Sequence, residues 1–276
     1  MHVIQCILSR QAEKEKPDSP VSWQNLFTTA DHLVSCFPPA TSRKQFWLNK
    51  INEIRLWRLL ASLKLDNIYN CLSDDAKEVC SQLDQVVDNL CDGQLPEVFP
   101  GLSNLSLEER RYLKNCYRPL FVELGLHSIP DQQWIRRLAG LIGAGNCLEI
   151  CAGRGWLARE LKALGVSVRA TDTAPSDPVT DVEAVGAETA THQAPNFDYL
   201  IISWPPTHSP LAAKCVRALK PDTKIIYIGE WLDGSCATDE FFEQVEILEK
   251  IEIPCWFGFS DAVYLLRKKS LNAGPE

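Results

Sequence analysis

The sequence predicts an α/β protein in which an all-α N-terminal module precedes a doubly wound, mainly parallel, seven-stranded sheet. Helical signals fill residues 23–127, where strand-like alternation is scarce. From residue 128 onward, short apolar runs alternate with helical segments, which indicates a mainly parallel sheet with helices on both faces. No helix separates the last two runs, so we expect them to form an antiparallel hairpin at one edge. We therefore expect a loose arm over 1–22, a helical module over 23–127 and a sheet domain over 128–276.

Composition limits the function classes. The net charge of −8 argues against broad nucleic-acid binding, and a nucleic-acid substrate would need a local basic patch. The 11 cysteines include no C-x-x-C pair and the histidines are scattered, so we expect free thiols and no metal site. No apolar run reaches the ~18 residues of a membrane span, and the N-terminus lacks signal-peptide features. We therefore expect a cytoplasmic protein with no membrane contact.

Helix-start signals recur through the N-terminal module. Ser42 is followed three residues on by Gln45, which is the pattern of a capping box. Ser73 precedes two acids, as a helix N-terminus prefers. Ser106 and Glu109 form a second capping-box pattern. The module therefore contains four or so predicted helices.

The pattern changes at the stretch "HSIPDQQWIRRLAGLIGAGN". Pro130 is at the place of a first-turn proline, and Gly143 and Gly145 end the predicted helix. The strands and helices that follow are predicted, in order, from these segments: "CLEIC", "WLARELKAL", "VSVRATD", "FDYLIIS", "PLAAKCVRAL", "KIIYIGE", "DEFFEQV", "EILEKIEIP" and "AVYLLRKK".

The stretch "CLEICAGRGWLARELKALGVSVRATDT" predicts a nucleoside-type cofactor site. Gly153 and Gly155 allow a sharp turn after the first strand, where ligands bind in a doubly wound sheet. Asp172 ends the next strand, where a carboxylate can accept both ribose hydroxyls. NAD and S-adenosylmethionine (SAM) sites share this arrangement, because "GRGWLA" also fits the dinucleotide pattern.

Three features favour SAM over NAD. Glu149, on the strand before the turn, suits the cationic amino group of a methionine moiety but not a pyrophosphate. Trp156 and Leu157 add bulk where a helix start would otherwise hold phosphate. Glu183, near the end of the third strand candidate "PVTDVEA", can accept a hydrogen bond from an adenine amino group.

With these motifs, residues 128–269 resemble the class I SAM-dependent methyltransferase superfamily. The family pattern is acid-x-G-x-G-x-G, an acid ending the second strand and an acid after the third. This chain reads E-x-C-x-G-x-G, with Cys151 in place of the first glycine. The resemblance implies SAM as cofactor, held by the following residues: Glu149, Cys151, Ala152, Gly153, Gly155, Trp156, Asp172, Thr173, Glu183 and Ser203.

Four short motifs relate the chain to one branch of this superfamily. "SIP", "SWPP", "IYIGE" and "IPCW" are similar to a little-characterised methyltransferase branch that carries W-P-P and Y-x-G-E at matching places. The resemblance covers about half of the chain and leaves residues 1–127 outside it. It strengthens the prediction of SAM and says little about the methyl acceptor.

The motif "SWPP" predicts the acceptor side of the site. It is similar to the [DNS]-P-P-[YFW] loop of amino-methyltransferases, although Thr207 stands where that loop has its aromatic residue. We expect the paired prolines to fix the backbone so that a carbonyl points into the site. A rigid loop with a packing tryptophan is the alternative interpretation. His208 is a candidate general base. Tyr227 and Glu230 belong to the next strand, "IIYIGEW", so we expect both to face the same cleft, where Glu230 could orient an amino acceptor. The candidate catalytic residues are Ser203, Trp204, Pro205, Pro206, His208 and Glu230.

The sequence therefore predicts a SAM-dependent methyltransferase, with an amino or other nitrogen acceptor favoured. The helical module, with Trp47, Trp57 and Tyr112, would cover the cleft, recognise a macromolecule or contact a protein partner. Two alternatives stay open. One is a methyltransferase-fold protein with weak or no activity that serves as a binding scaffold, and the other is an NAD(P)-dependent oxidoreductase.

Overall fold

A computed structural model describes residues 34–62, 72–193, 196–232 and 236–269, with only the backbone for 57–62. The predicted arm over 1–22 and the side chain of Trp57 lie outside the described residues. The chain divides into two compact units between Asp92 and Gly93. The predicted boundary between 127 and 128 therefore falls inside the second unit.

Two helices form the described part of the first unit: α1, Arg43–Ser62, and α2, Asp74–Cys91. The hydroxyls of Ser42 and Ser73 accept the backbone N–H three residues on, at 3.1 and 3.2 Å. Both predicted helix starts are thus confirmed. A serine at this position satisfies an N–H that the first helical turn leaves without a partner.

Apolar side chains and one arginine join these two helices. Ile51 of α1 and Leu83 of α2 are fully buried. Arg55 of α1 forms ion pairs with Asp84, at 3.2 Å, and Asp88, at 3.1 Å, on successive turns of α2. Since the Arg55 side chain is largely buried, these pairs fix how the two helices pack.

The second unit begins with helices α3, Leu107–Glu123, and α4, Gln132–Ile142. The capping box predicted at Ser106 is present in both directions. At α4 the N-cap is Asp131, whose carboxylate accepts the N–H three residues on at 3.0 Å. Pro130 therefore precedes the N-cap rather than lying in the first turn. The prediction for Pro130 was wrong because the adjacent aspartate is the stronger cap.

Strands and helices then alternate as predicted, with one additional helix, Ala187–Gln193, that the sequence pattern did not predict. Their bounds are β1, Asn146–Ile150; α5, Trp156–Ala163; β2, Ser167–Asp172; β3, Glu183–Ala184; α6, Ala187–Gln193; β4, Tyr199–Ser203; α7, Leu211–Ala218; β5, Lys224–Gly229; α8, Asp239–Glu243; β6, Val245–Glu252; and β7, Ala262–Lys268. Glu183 lies within β3, and this strand is only two residues long, so it is much shorter than the strand candidate "PVTDVEA".

The strands form one seven-stranded sheet in the order β3-β2-β1-β4-β5-β7-β6. The strand β7 lies between β5 and β6 and runs antiparallel to both, and the other neighbouring strands pair in parallel. The predicted doubly wound, mainly parallel sheet with a terminal hairpin is confirmed. Strand order reverses between β1 and β4, so the loops after these two strands flank the crevice where such sheets bind ligands.

The two faces of the sheet pack against different helices. Leu148 and Ile150 of β1 belong to a core cluster with residues of α6, α7 and α8. Side chains alternate along a strand, so Glu149 points to the opposite face, where the Ala158 N–H of α5 binds it. On that second face Phe121 of α3 is fully buried and packs edge-on against Trp256, with ring centres 5.3 Å apart.

No helix in the described ranges is long and apolar enough to cross a membrane. The cysteines of the described residues are free thiols, and no group of three or more metal-binding side chains occurs there. Burial, with the Glu149 carboxylate as a smaller cause, raises the pKa of Cys147 to about 12. Burial, followed by the Asp172 carboxylate, raises the pKa of Cys151 to about 11. Both are therefore protonated and weakly nucleophilic at neutral pH.

Candidate functional site

The turn between β1 and α5 contains three residues in the left-handed conformation. They are Cys151 at φ 55°, Gly153 at φ 55° and Gly155 at φ 77°. A Cβ on Gly155 would lie 2.7 Å from a methyl carbon of Val182, whereas one on Gly153 would meet no atom within 4 Å. Gly155 is thus required for the turn to pack against the segment before β3. Gly153 leaves open space on the side where a ligand would approach the backbone.

Asp172 closes this turn from the end of β2. Its Oδ2 accepts the Gly153 N–H at 2.9 Å, and its Oδ1 accepts the Ala174 N–H at 3.0 Å. The side chain is half-buried, and each carboxylate oxygen keeps a further lone pair for a ligand hydroxyl. Thr173 next to it is exposed. The glycine turn and the predicted ribose acceptor are therefore in direct contact.

Glu149 lies beneath the start of α5. It is 2% exposed, and its Oε2 has no hydrogen-bond partner among the described residues. Burial raises the pKa of this carboxyl to about 8, although the Ala158 N–H and the Lys162 ammonium oppose the rise. Burial thus outweighs the helix dipole of α5, which favours negative charge, and the Glu149 carboxyl is mostly protonated at neutral pH.

Arg154 is a residue of this turn that the motif analysis missed. Its side chain is buried, donates to the Leu124 carbonyl at 3.1 Å and pairs with Asp177 at 3.0 Å. The indole N–H of Trp156 donates to the same Leu124 carbonyl at 2.8 Å. Trp156 is thus turned toward the end of α3, and its predicted cofactor contact stays a prediction. Arg154 could not be predicted, because it is the variable residue between the two glycines of the motif and nothing in the sequence indicates which groups it contacts.

Glu183 already has a partner within the sheet. Its carboxylate accepts two hydrogen bonds from Arg169 of β2, at 2.9 and 2.7 Å. These bonds lower the pKa of Glu183. The predicted adenine contact would have to share this exposed carboxylate with the guanidinium, and it stays a prediction.

The segment Ser203–Pro206 follows β4 at the other side of the crevice. Trp204 adopts a left-handed φ of 47°, and its N–H donates to the Ile228 carbonyl at 2.8 Å. The carbonyls of Pro205 and Pro206 accept backbone N–H groups of Ala237, at 3.1 Å, and of Ser209, at 3.2 Å. We expected the paired prolines to aim a carbonyl into the site. Both proline carbonyls are instead bonded within the protein.

The Trp204 ring lies in a cluster of aromatic and basic side chains. It stacks on His127, with ring centres 5.9 Å apart and planes 25° from parallel, and lies 5.7 Å from the Phe259 ring centre. The Arg118 guanidinium is 5.7 Å from the centre of the Trp204 ring. Partial burial and then the Arg118 charge lower the pKa of His127. His208, the predicted general base, is exposed further along the loop.

Two buried carboxylates lie next to this cluster. Glu230 is 6% exposed and accepts the Ser260 N–H at 3.2 Å. Asp261 is 2% exposed, and neither of its carboxylate oxygens has a hydrogen-bond partner of normal geometry among the described residues. Burial and the Glu230 charge raise the pKa of Asp261 to about 7, while Arg118 and the Trp204 N–H lower it. Asp261 was not predicted, because the irregular segment before β7 has no periodicity to interpret.

Tyr227 differs from its predicted position. It is fully buried, and its hydroxyl donates to the Glu230 carbonyl at 2.6 Å. Its ring packs against Phe241, with centres 5.1 Å apart. Tyr227 thus supports the backbone of Glu230 from the core and does not face the crevice, as the sequence had led us to expect.

Comparison with known proteins gave structural neighbours only. No protein-family model and no curated protein matches the chain. TehB from Haemophilus influenzae is 14% identical, over 60% of this chain and 68% of that one, with a TM-score of 0.38. The mitomycin 7-O-methyltransferase MmcR is 13% identical, over 88% and 93%, with a TM-score of 0.38. ChlM, a magnesium protoporphyrin IX methyltransferase from Synechocystis PCC 6803 with bound SAM, is 12% identical, over 50% and 79%, at 0.36.

The strand order itself identifies the fold. A parallel doubly wound sheet whose antiparallel seventh strand lies between the fifth and sixth is the class I methyltransferase fold that the sequence motifs implied. The predicted fold class is therefore confirmed.

Proposed function

We propose that the chain is a SAM-dependent methyltransferase that acts on a nitrogen acceptor. The observation that carries the proposal is the contact between the turn after β1 and the acid that ends β2. Gly153 and Asp172 bond to each other at the carboxyl edge of the sheet, beside the point where strand order reverses. A nucleoside cofactor fits there, with its ribose on Asp172 and the backbone of the turn beside it.

Glu149 favours SAM over a dinucleotide. In dinucleotide sites the pyrophosphate binds at the N-terminus of the helix after the glycine turn. Here the carboxyl of Glu149 takes the Ala158 N–H of α5 from below. When ionised, a carboxyl at that position repels a pyrophosphate. When protonated, it still competes with the pyrophosphate for the same N–H donors. SAM has no phosphate, so the arrangement fits it.

In this proposal the residues of the chain bind the cofactor, orient the methyl acceptor and accept a proton from it. When bound, SAM supplies a methyl group on a positively charged sulfur that leaves readily. Asp172 and the turn hold the nucleoside part, and the rigid segment Ser203–Pro206 orients the acceptor. Asp261, whose pKa is about 7, can accept the proton that a methylated nitrogen releases near neutral pH. Burial, and then the Glu230 charge, keep that pKa raised and so keep Asp261 suited to proton transfer.

The experiment for this proposal is methyl transfer from tritiated SAM into cell extract, separated into protein, nucleic-acid and small-molecule fractions. We expect label in one fraction with the wild-type chain and a large loss with Asp172→Ala. Equal labelling by both chains, or by a sample without the protein, would refute the proposal.

A binding scaffold is the second candidate. It is favoured by the carbonyls of Pro205 and Pro206, which are bonded to the protein itself rather than available to an acceptor. If the chain binds SAM but labels no fraction of any extract, the scaffold is the better description.

A further inference from the structure

Four basic residues form a stripe along one face of α3. The basic stripe consists of Arg110, Arg111, Lys114 and Arg118, and these positions lie within an arc of about 100° on a helix. Within the described residues none of the four forms an ion pair, and the buried Nε atoms of Arg110 and Arg118 have no hydrogen-bond partner. In a chain with net charge −8, unpaired cations on one face form the local basic patch that a polyanion requires.

Aromatic rings lie beneath these cations. The two arginines at the start of the stripe each lie 5.7 Å from the ring centre of Phe257. Its last two cations lie 5.1 and 4.5 Å from the ring centre of Phe259. Both rings are half-buried, so part of each faces solvent. Cations interleaved with aromatic rings are what proteins use to bind single-stranded nucleic acid.

The basic stripe ends at the loop after β4. Its last residue, Arg118, lies against both Phe259 and Trp204. At the other end of α3, Glu109 is engaged in the capping box and bonds the Ser106 N–H. The positive charge thus leads toward the side of the crevice on which we place methyl transfer.

Unpaired donors and acceptors meet where the stripe ends. No hydrogen bond of normal geometry is formed by the buried Arg118 Nε, by Trp204 Nε1 or by the Asp261 carboxylate within the described residues. The Arg118 charge and the Trp204 N–H nevertheless lower the pKa of Asp261, so the three side chains lie close to one another. Leaving such atoms buried without partners is costly, so a polar ligand that pairs with them binds favourably. The edge of a nucleobase presents N–H donors beside carbonyl or ring-nitrogen acceptors, which matches this set.

We propose that the methyl acceptor is a single-stranded nucleic acid, with phosphates along the basic stripe, bases against Phe257 and Phe259, and the target base at Trp204 and Asp261. This inference rests on the proposed methyltransferase function and names its substrate class. An acidic peptide also complements the charge of the stripe, but it provides no planar bases for the rings and no base edge for the unpaired polar atoms.

The test measures binding of a fluorescein-labelled single-stranded RNA of mixed sequence to the full chain, by fluorescence anisotropy at several salt concentrations. The variant Arg111→Gln/Lys114→Gln removes two cations of the stripe. At 0.1 M salt we expect about 20-fold weaker binding, because each phosphate contact on a single strand contributes a salt slope of about −0.7. The slope of log K against log salt should become shallower by about 1.4.

A matched control and a folding readout accompany this variant. Lys214→Gln/Arg217→Gln removes the same charge from exposed positions of α7 and should leave RNA affinity unchanged. Calorimetry with SAM should give the same affinity for wild type and both variants, which shows that the chain is folded. Single-stranded DNA of the same sequence should also bind, whereas a duplex should bind more weakly.

The outcomes separate the inference from the proposed function. SAM binding without RNA binding overturns the inference and leaves the methyltransferase proposal intact. RNA binding without SAM binding overturns the methyltransferase proposal, and with it the acceptor role of the RNA. Equal weakening by the α7 control, or displacement of RNA by polyglutamate as effective as by unlabelled RNA, overturns the inference.

Discussion

Cys151 occupies a left-handed backbone conformation that glycine adopts without strain. For a residue with a Cβ this conformation costs roughly 1–2 kcal/mol, whereas glycine costs roughly 0.5–1 kcal/mol through the entropy of the unfolded chain. We expect Cys151→Gly to leave the free energy of unfolding unchanged or to raise it by up to about 1 kcal/mol, measured by urea denaturation.

Ala152 provides the control for this prediction, because it is not among the residues with positive φ. Ala152→Gly should therefore lower the free energy of unfolding. If both substitutions destabilise the chain equally, Cys151 does not have the described conformation.

Glu149 should make stability fall as pH rises. Its pKa is about 8 in the folded chain against an ordinary 4.5, so the folded state binds this proton more tightly than the unfolded state. The contribution of Glu149 is therefore fully present below pH 4.5 and is lost as pH rises toward 8. Glu149→Gln mimics the protonated acid, so we expect a melting temperature above that of the wild type at pH 8 and a flatter pH dependence.

The control for Glu149 is an exposed acid. Glu249→Gln, on the solvent side of β6, should leave the pH dependence of the melting temperature as it is in the wild type. If the melting temperatures of the wild type and of Glu149→Gln change by the same amount between pH 4.5 and pH 8, the pKa of this carboxyl is not raised in the folded chain.

Single residues were predictable where the chain pattern fixes their place. Asp172 could be placed because an apolar strand leads directly to it, and the structure puts it on the glycine turn. The Arg169 partner of Glu183 could not be found, since which strands become neighbours depends on the whole sheet. Arg118 and Asp261 come from segments far apart in sequence, and only folding brings them together.

At the scale of elements, the segment Ser203–Pro206 is the part of the site most open to test. Pro205→Ala should leave SAM affinity nearly unchanged, because the cofactor would lie on the turn after β1 and on Asp172. Methyl transfer should fall ~10–100-fold, since a misplacement of about 1 Å can cost that much. The measurement pairs calorimetry with SAM and the rate of tritium transfer.

Pro210→Ala offers a matched substitution in the same connection, at the N-cap of α7. It should change neither quantity, since its position is outside the rigid segment. Parallel loss of SAM affinity and activity in Pro205→Ala would assign the segment a structural role and refute its role in orienting the acceptor.

Helix starts were predictable and strand lengths were not. Capping is a local interaction over three residues, so Ser42, Ser73 and Ser106 could be identified from sequence alone. The strand β3 is two residues long because only Thr171 and Asp172 of β2 pair with it. A strand of two residues is too short to show alternation in the sequence, which explains why the strand candidate "PVTDVEA" was too long.

For the whole molecule, the structure divides the chain between Asp92 and Gly93, and the predicted boundary between 127 and 128 stays a prediction. Helical periodicity in the sequence does not show what a helix packs against. Phe99 and Phe121 pack edge-on against each other, with ring centres 6.0 Å apart, and both contact Trp256 before β7. The Phe99 N–H also donates to Asp131 at 3.2 Å. Residues from Gly93 onward are therefore part of the unit that contains the sheet.

Truncation tests this division. We expect a chain of residues 93–276 to fold and bind SAM, since it keeps the aromatic cluster and the Leu124 carbonyl that Arg154 and Trp156 bind. A chain of residues 126–276 loses Phe99, Phe121 and that carbonyl, and it should unfold at a much lower urea concentration. Equal stability of the two chains would favour the boundary between 127 and 128.

The central claim is that the turn after β1 and Asp172 bind SAM, and calorimetric titration of the full chain with SAM and with NADH tests it most directly. We predict one binding site for SAM, no binding of NADH, and a loss of roughly 2–4 kcal/mol of SAM binding free energy in a folded Asp172→Ala variant, because two ribose hydroxyls lose a charged acceptor. Binding of NADH in preference to SAM, or unchanged SAM affinity in that variant, would contradict the claim.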